Sequence, residues 1–159
     1  MNTKTKLRLT GEMASVIGIS AFGAVMFAIS STLLSYWKSV PATEFVNIFA
    51  KQDADIMSMI STVVAPTMVF MIATVIMNWK HRAVRYLWLA SACAFILIIV
   101  VTVIYFVPNN TAFAADEVPV SDIAAKLNEW GNVHRIRIAL AAISAALGGY
   151  AIVKGRSIS

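Results

Sequence analysis

Trp130, His134 and Arg137 stand at i, i+4 and i+7 of one stretch of the chain. In a helix, at about 100° per residue, the three side chains fall within roughly 60° of one another over about two turns. Such a trio could hold and ionise an aromatic molecule bearing an oxygen. An indole can stack on a ring. A guanidinium can stabilise a developing phenolate or enolate, and an imidazole can accept a proton near neutral pH. The same stripe begins with Ile123 and Leu127 and continues as Ala141, Ser144 and Gly148. Large apolar residues lead into the polar trio, and small residues that let helices approach closely follow it. Each member also has a bland reading. Tryptophan at a membrane border is usually an anchor, and arginine near a helix end usually reaches outward to headgroups.

The element that must position the trio is a helix from Asp122 to Lys154, and it is one of four. The chain has 159 residues, of which 59% are hydrophobic and 13% charged, with a mean hydropathy of +0.76. Soluble globular domains do not have that composition; a polytopic membrane protein does. Apolar runs predict spans at about 13–37, 56–79, 86–107 and 130–153 within a single membrane domain, 1–159. Lys4, Lys6 and Arg8 before the first run imitate a signal peptide, but the run is too long for one and reads as a retained helix. Gly11, Ala14, Gly18 and Phe22 give that helix a close-packing face, while Tyr36 and Trp37 belong at an interface. After Pro41, residues Thr43 to Ala54 read as a short amphipathic helix at the mouth of the bundle, with Phe45, Ile48 and Phe49 on its apolar side. Glu44, Asn47, Lys51 and Gln52 supply its polar atoms. Pro66 predicts a kink in the second span. In the third span Trp88 and Tyr105 mark the borders and Pro108 the end, followed by a loop at 111–121. Ser121 or Asp122 would cap the fourth helix.

The distribution of charge orients this bundle. Lys4, Lys6, Arg8, Lys80, Arg82, Arg85, Lys154 and Arg156 fall on one side, and all the acidic residues from Glu44 onward fall on the other with the remaining basic ones. The positive-inside rule then places both termini in the cytoplasm. The expectation is an all-α, up-down-up-down bundle of four transmembrane helices, multi-pass in the inner (plasma) membrane. The net charge of +5 is spread over span ends rather than gathered in a patch, so nucleic acid is not an expected partner. Membrane lipid and a hydrophobic small molecule are, and a homo-oligomer stays open. Cys93 is the only cysteine, which excludes disulfide frameworks, thiol–disulfide exchange pairs and thiolate metal sites. His81 and His134 belong to opposite sides of the membrane, against a bis-histidine haem. None of the four apolar runs contains an acid, against proton-coupled export by a single copy.

Helical counting from Arg85 brings Asn109 to the level of His134. Trp130, His134, Arg137 and Asn109, with Gln52 and Glu44 from the first connection, could then ring a pocket in the outer leaflet. The pattern Pro108-Asn109 after the third span, then Trp130-x-x-x-His134-x-x-Arg137 opening the last, resembles the anthrone oxygenase-like family of small four-helix membrane proteins. Fungal members of that family oxidise anthrones to anthraquinones during polyketide synthesis, with neither metal nor flavin. The resemblance implies a cofactor-independent oxygenase for a hydrophobic phenolic or quinol-like substrate. Arg137 would bind the oxyanion, His134 assist proton removal, Asn109 hydrogen-bond and Trp130 stack. The reading from another class is a non-enzymatic membrane module that binds a lipid, a quinone or a partner helix through the same stripe.

Overall fold

The computed structural model describes residues 3–157, and among them every regular element is helical. Four helices are long and apolar enough to cross a membrane: α1, Thr3–Ser39; α2, Ala42–Met77; α3, Arg82–Ala114; and α4, Ile123–Arg156. They have 37, 36, 33 and 34 residues. At 1.5 Å per residue each is about 50–55 Å long, well beyond a hydrocarbon core of about 30 Å. The chain is a multi-pass membrane protein; α1, α3 and α4 extend past their apolar runs at both ends, and α2 extends past its run at the N-terminal end.

The helices pack α1 on α2, α1 on α4 and α3 on α4, with α2 on α3 the sparsest of the four neighbouring pairs. Antiparallel neighbours are evident from the pairs that meet. Ser15 and Thr74 hydroxyls lie 3.1 Å apart between α1 and α2. Ser91 and Ser144 each donate a hydroxyl to the other's backbone carbonyl, at 2.8 and 2.9 Å, between α3 and α4. Reciprocal bonds of this kind satisfy polar groups that lipid cannot. The small residues of the α4 stripe are buried as their spacing predicts, Ala141, Ser144 and Gly148 all facing helices. Gly148 has a specific role. A Cβ there would meet the Trp88 ring at 3.1 Å, so the glycine makes the room that lets Trp88 pack. Trp88 is fully buried and not at a lipid border as its sequence position suggests.

The helix ends correct two expectations. Thr43 to Ala54 is no separate amphipathic helix but the first turns of α2, which continues unbroken through Pro66. Val40 is extended, as the residue before a proline is pressed to be, and Pro41 sits at the N-cap of α2, so α1 and α2 are joined by a very short turn. Pro108 does not end α3, which runs to Ala114. A π turn, Thr102–Phe106, precedes it, and its wider register accommodates the ring and missing donor of Pro108. α3 stops instead where Asp116 adopts a left-handed φ of 55°. Asp116 N–H then donates to Phe113 O and Glu117 N–H to Ala112 O, at 3.3 and 3.0 Å. That pair of bonds closes a helix with otherwise orphaned carbonyls.

A second π turn, Ile29–Leu33, interrupts α1. Each π turn holds one extra residue and so rotates everything beyond it by about 100°. In α3 the buried residues run Val84, Trp88, Ser91, Phe95 and Ile98 at α spacing. An uninterrupted helix would continue that face through positions 105, 109 and 112. The buried residues are Phe106, Asn110 and Phe113. In α1 the same slip buries Leu34 and Trp37 and leaves Tyr36 exposed.

Candidate functional site

Beyond the two π turns the bundle interior becomes aromatic. Trp37, Phe45, Phe49 and Phe113 are each at most 1% exposed. They pack edge to face, with Trp37 5.1 Å from Phe49 and Phe45 5.2 Å from Phe113, ring centre to ring centre. Trp130 joins them from α4, 5.7 Å from Trp37. Gln52 Oε1 accepts the Trp37 indole N–H at 3.1 Å, so the expected site residue Gln52 is present as a support for the aromatic wall. The expectation of Trp37 at a lipid interface is corrected by its burial. Glu44 is corrected too: it is exposed in the first turn of α2 and does not reach the interior.

Beneath this wall lies the trio read from the sequence. Trp130 is 3% exposed, His134 0% and Arg137 3%. Trp130 is therefore no membrane anchor, and Arg137 does not reach out to headgroups. The Trp130 and His134 rings are stacked, with centroids 4.7 Å apart and planes 10° from parallel. Arg137 Nη2 donates to His134 Nδ1 at 2.6 Å. A guanidinium can only donate, so Nδ1 carries a lone pair and the proton is on Nε2. His134 Nε2 then donates to the Met26 carbonyl at 2.8 Å. Both nitrogens are engaged. The imidazole holds Arg137 in place and has no free lone pair with which to take a proton from a substrate.

Arg137 is held from two further sides. Nη1 donates to Thr102 Oγ1 at 3.2 Å, at the start of the α3 π turn. Its Cζ lies 3.4 Å from the centre of the Phe106 ring, a close cation–π contact. Among the described residues its Nε has no hydrogen-bond partner and Arg137 forms no ion pair. Burying a guanidinium without a carboxylate beside it is costly, and charged side chains within membrane spans are rare for that reason. Arg135, two residues earlier, is exposed and bonds only to Asn132 of its own helix.

Asn109 is not in this site. Its amide donates to Tyr105 O on its own helix. Asn110 takes the place assigned to it, because the π turn carries the inward face one residue further along. Asn110 Oδ1 accepts the Trp130 indole N–H at 3.0 Å, and its Nδ2 donates to Asp53 Oδ1 at 2.9 Å. Asp53 is the residue that sequence reasoning missed. It was counted with the first connection, but α2 is already helical there and turns it inward. Asp53, Asn110, Trp130 and Arg137 line one small cavity with Met57 and Ile60. Its volume is ≈ 10 Å³, room for about one water. Among the described residues no group of three His, Cys, Asp or Glu side chains could hold a metal ion. The arrangement offers a fixed cation, a half-buried carboxylate and four flat rings, those of Trp37, Phe49, Phe106 and Trp130, around a closed space.

Comparison with known proteins finds a match of residues 45–147 to the family model described as anthrone oxygenase. That span contains Asp53, Thr102, Phe106, Asn110 and the whole trio. No curated protein and no solved structure matches the chain.

Proposed function

The chain belongs to the anthrone oxygenase family, and on that premise we propose that it oxidises a hydrophobic phenolic or quinol-like substrate with dioxygen at Arg137, using neither metal nor flavin. The observation that carries this reading is the buried guanidinium with no ion-paired carboxylate among the described residues. A substrate that becomes an oxyanion supplies the missing charge, and a preorganised cation in a dry site stabilises it far more than water would. For a ring methylene flanked by aromatic rings, loss of one proton moves charge onto the ring oxygen. The resulting carbon nucleophile bonds to dioxygen, and the peroxide loses water to leave a carbonyl. The balance is R₂CH₂ + O₂ → R₂C=O + H₂O, with dioxygen as the only oxidant.

The residues divide this work. Arg137 holds the oxyanion. Asp53, on the same cavity and oriented by Asn110, accepts the proton. His134 positions Arg137 and stacks on Trp130 rather than serving as the base. Phe106 and Trp130 wall the ring system. We place the site in the outer half of an inner-membrane protein with both termini cytoplasmic, on the asymmetry of its basic residues. A module that binds lipid, quinone or a partner helix without chemistry is the second reading, favoured by the near-absence of free space beside Arg137.

Oxygen uptake by the purified protein in liposomes, supplied with an anthrone, tests the proposal. The expected rate exceeds that of protein-free liposomes by at least about 10²-fold, a modest share of ordinary enzymatic acceleration, with one carbonyl formed per O₂. A rate equal to protein-free liposomes overturns it.

A further inference from the structure

We infer that a cleft between α2 and α3 is the passage through which a bilayer-dissolved aromatic reaches the Arg137 cavity. The substrate's identity rests on the oxygenase reading; the existence of the passage does not. The aqueous side of the site is closed by the edge-to-face packing of Trp37, Phe45, Phe49 and Phe113, all buried. On the membrane side the wall is looser. α2 meets α3 more closely beside Val107–Ala114 than along the longer Arg82–Val101 stretch. A cleft of ≈ 250 Å³ lies there, with Phe22 as its floor and Ser61, Ala65 and Ile99 on its flanks. Its lining is almost wholly apolar and faces lipid, so its occupant comes from the bilayer.

Two features join the cleft to the site. Met57 and Ile60 line both spaces, so a single layer of side chains separates them. Thr102 lines the cleft and accepts the Arg137 Nη1 bond. Met57 is the movable part of that layer, unbranched and with three rotatable bonds. Its displacement would merge the cleft with the cavity and admit a flat ring system edge-on, oxygen first, toward Arg137. The closed cavity and the open cleft are then two parts of one route, with Met57 as the gate. An acyl chain is the competing occupant, and it carries no oxygen for Arg137 to hold.

Photolabelling tests this without turnover. The probe is 4-hydroxybenzophenone in phosphatidylcholine liposomes, under nitrogen, with adducts mapped by mass spectrometry. Met59 is the internal control, two residues away on α2 and 44% exposed to lipid. Met57 should label well above Met59, and excess 2-hydroxyanthraquinone should suppress Met57 by about tenfold while sparing Met59. Ala65→Trp, which fills the cleft from an exposed position, should suppress Met57 alone. Equal labelling of the two methionines, or labelling of Met57 that the competitor does not touch, overturns the passage. Labelling as expected together with no oxygen uptake would remove the oxygenase reading and leave the passage standing. Oxygen uptake with Met57 unlabelled would do the reverse.

Discussion

The bundle buries a charged side chain near each end and treats the two differently. Toward the Asn78 end, Glu12 is 4% exposed. It accepts a bond from Asn78 Nδ2 at 2.9 Å and has Arg8 Nε 3.9 Å away, across one helical turn. Ser15 and Thr74 continue that polar seam between α1 and α2. Toward the Trp130 end, Arg137 is buried just as deeply, yet its partners are an imidazole, a hydroxyl and two rings. One end sets its buried charge beside an opposite one; at the other, among the described residues, no carboxylate comes within ion-pair distance of the guanidinium. A completed pair holds helices together. An unpaired charge works against the fold unless a bound group compensates it, as proposed for Arg137.

Substitution at Arg137 should break that comparison most visibly. Arg137→Gln is expected to lower anthrone oxidation by about 10²–10³-fold, the usual loss on removing an oxyanion donor. Thermal unfolding in detergent should stay level or rise, because an uncompensated buried charge is removed. A melting point lowered as far as by the change at Glu12 would show that both ends are structural. Glu12→Leu is the reciprocal experiment. It leaves the Asn78 amide with only its bond to Thr74 O and removes the carboxylate facing Arg8, which should cost about 2–3 kcal/mol in unfolding measurements while leaving the specific activity of the folded fraction unchanged.

Smaller effects sharpen the same contrast. A Cβ at Gly18 would overlap the Thr67 hydroxyl where α1 crosses α2, so Gly18→Leu should cost about 1–3 kcal/mol by overpacking. Gly149 faces open space, and Gly149→Ala should be neutral or stabilising by up to about 1 kcal/mol. Equal effects at the two glycines would contradict the packing of α1 on α2. Arg135→Leu should change stability by no more than about 0.5 kcal/mol, since Arg135 is exposed and bonds only within its own helix.

What the sequence makes legible follows from where the helices are regular. α4 has no π turn, so the 3.6 period carries Trp130, His134 and Arg137 correctly to one buried face, with Ala141, Ser144 and Gly148 below them. α1 and α3 each contain one, and the period fails beyond it. Nothing in Ile29–Leu33 or Thr102–Phe106 announces the extra residue. Asn110 therefore stands where Asn109 was expected, and in α1 the same slip turns Trp37 inward, away from the interface at which it was expected with Tyr36. Asp53 and Glu12 were hidden by another habit, that of ending a span at the first charge. Both helices run on through their charged residues, which turn inward instead of outward. The apolar pattern predicts four helices; burial of the few charges among them depends on which neighbour stands opposite, and one-dimensional periodicity does not contain that.

The role of Arg137 can be read from the ionisation of a bound molecule. 2-Hydroxyanthraquinone changes colour when its hydroxyl ionises, needs no oxygen to bind, and is of the proposed substrate class. In anaerobic liposomes at mildly acidic pH, the dye bound to the wild-type protein should absorb as its anion, and the dye bound to Arg137→Gln as the neutral phenol. Bound dye that is neutral in both proteins would contradict an oxyanion site at Arg137.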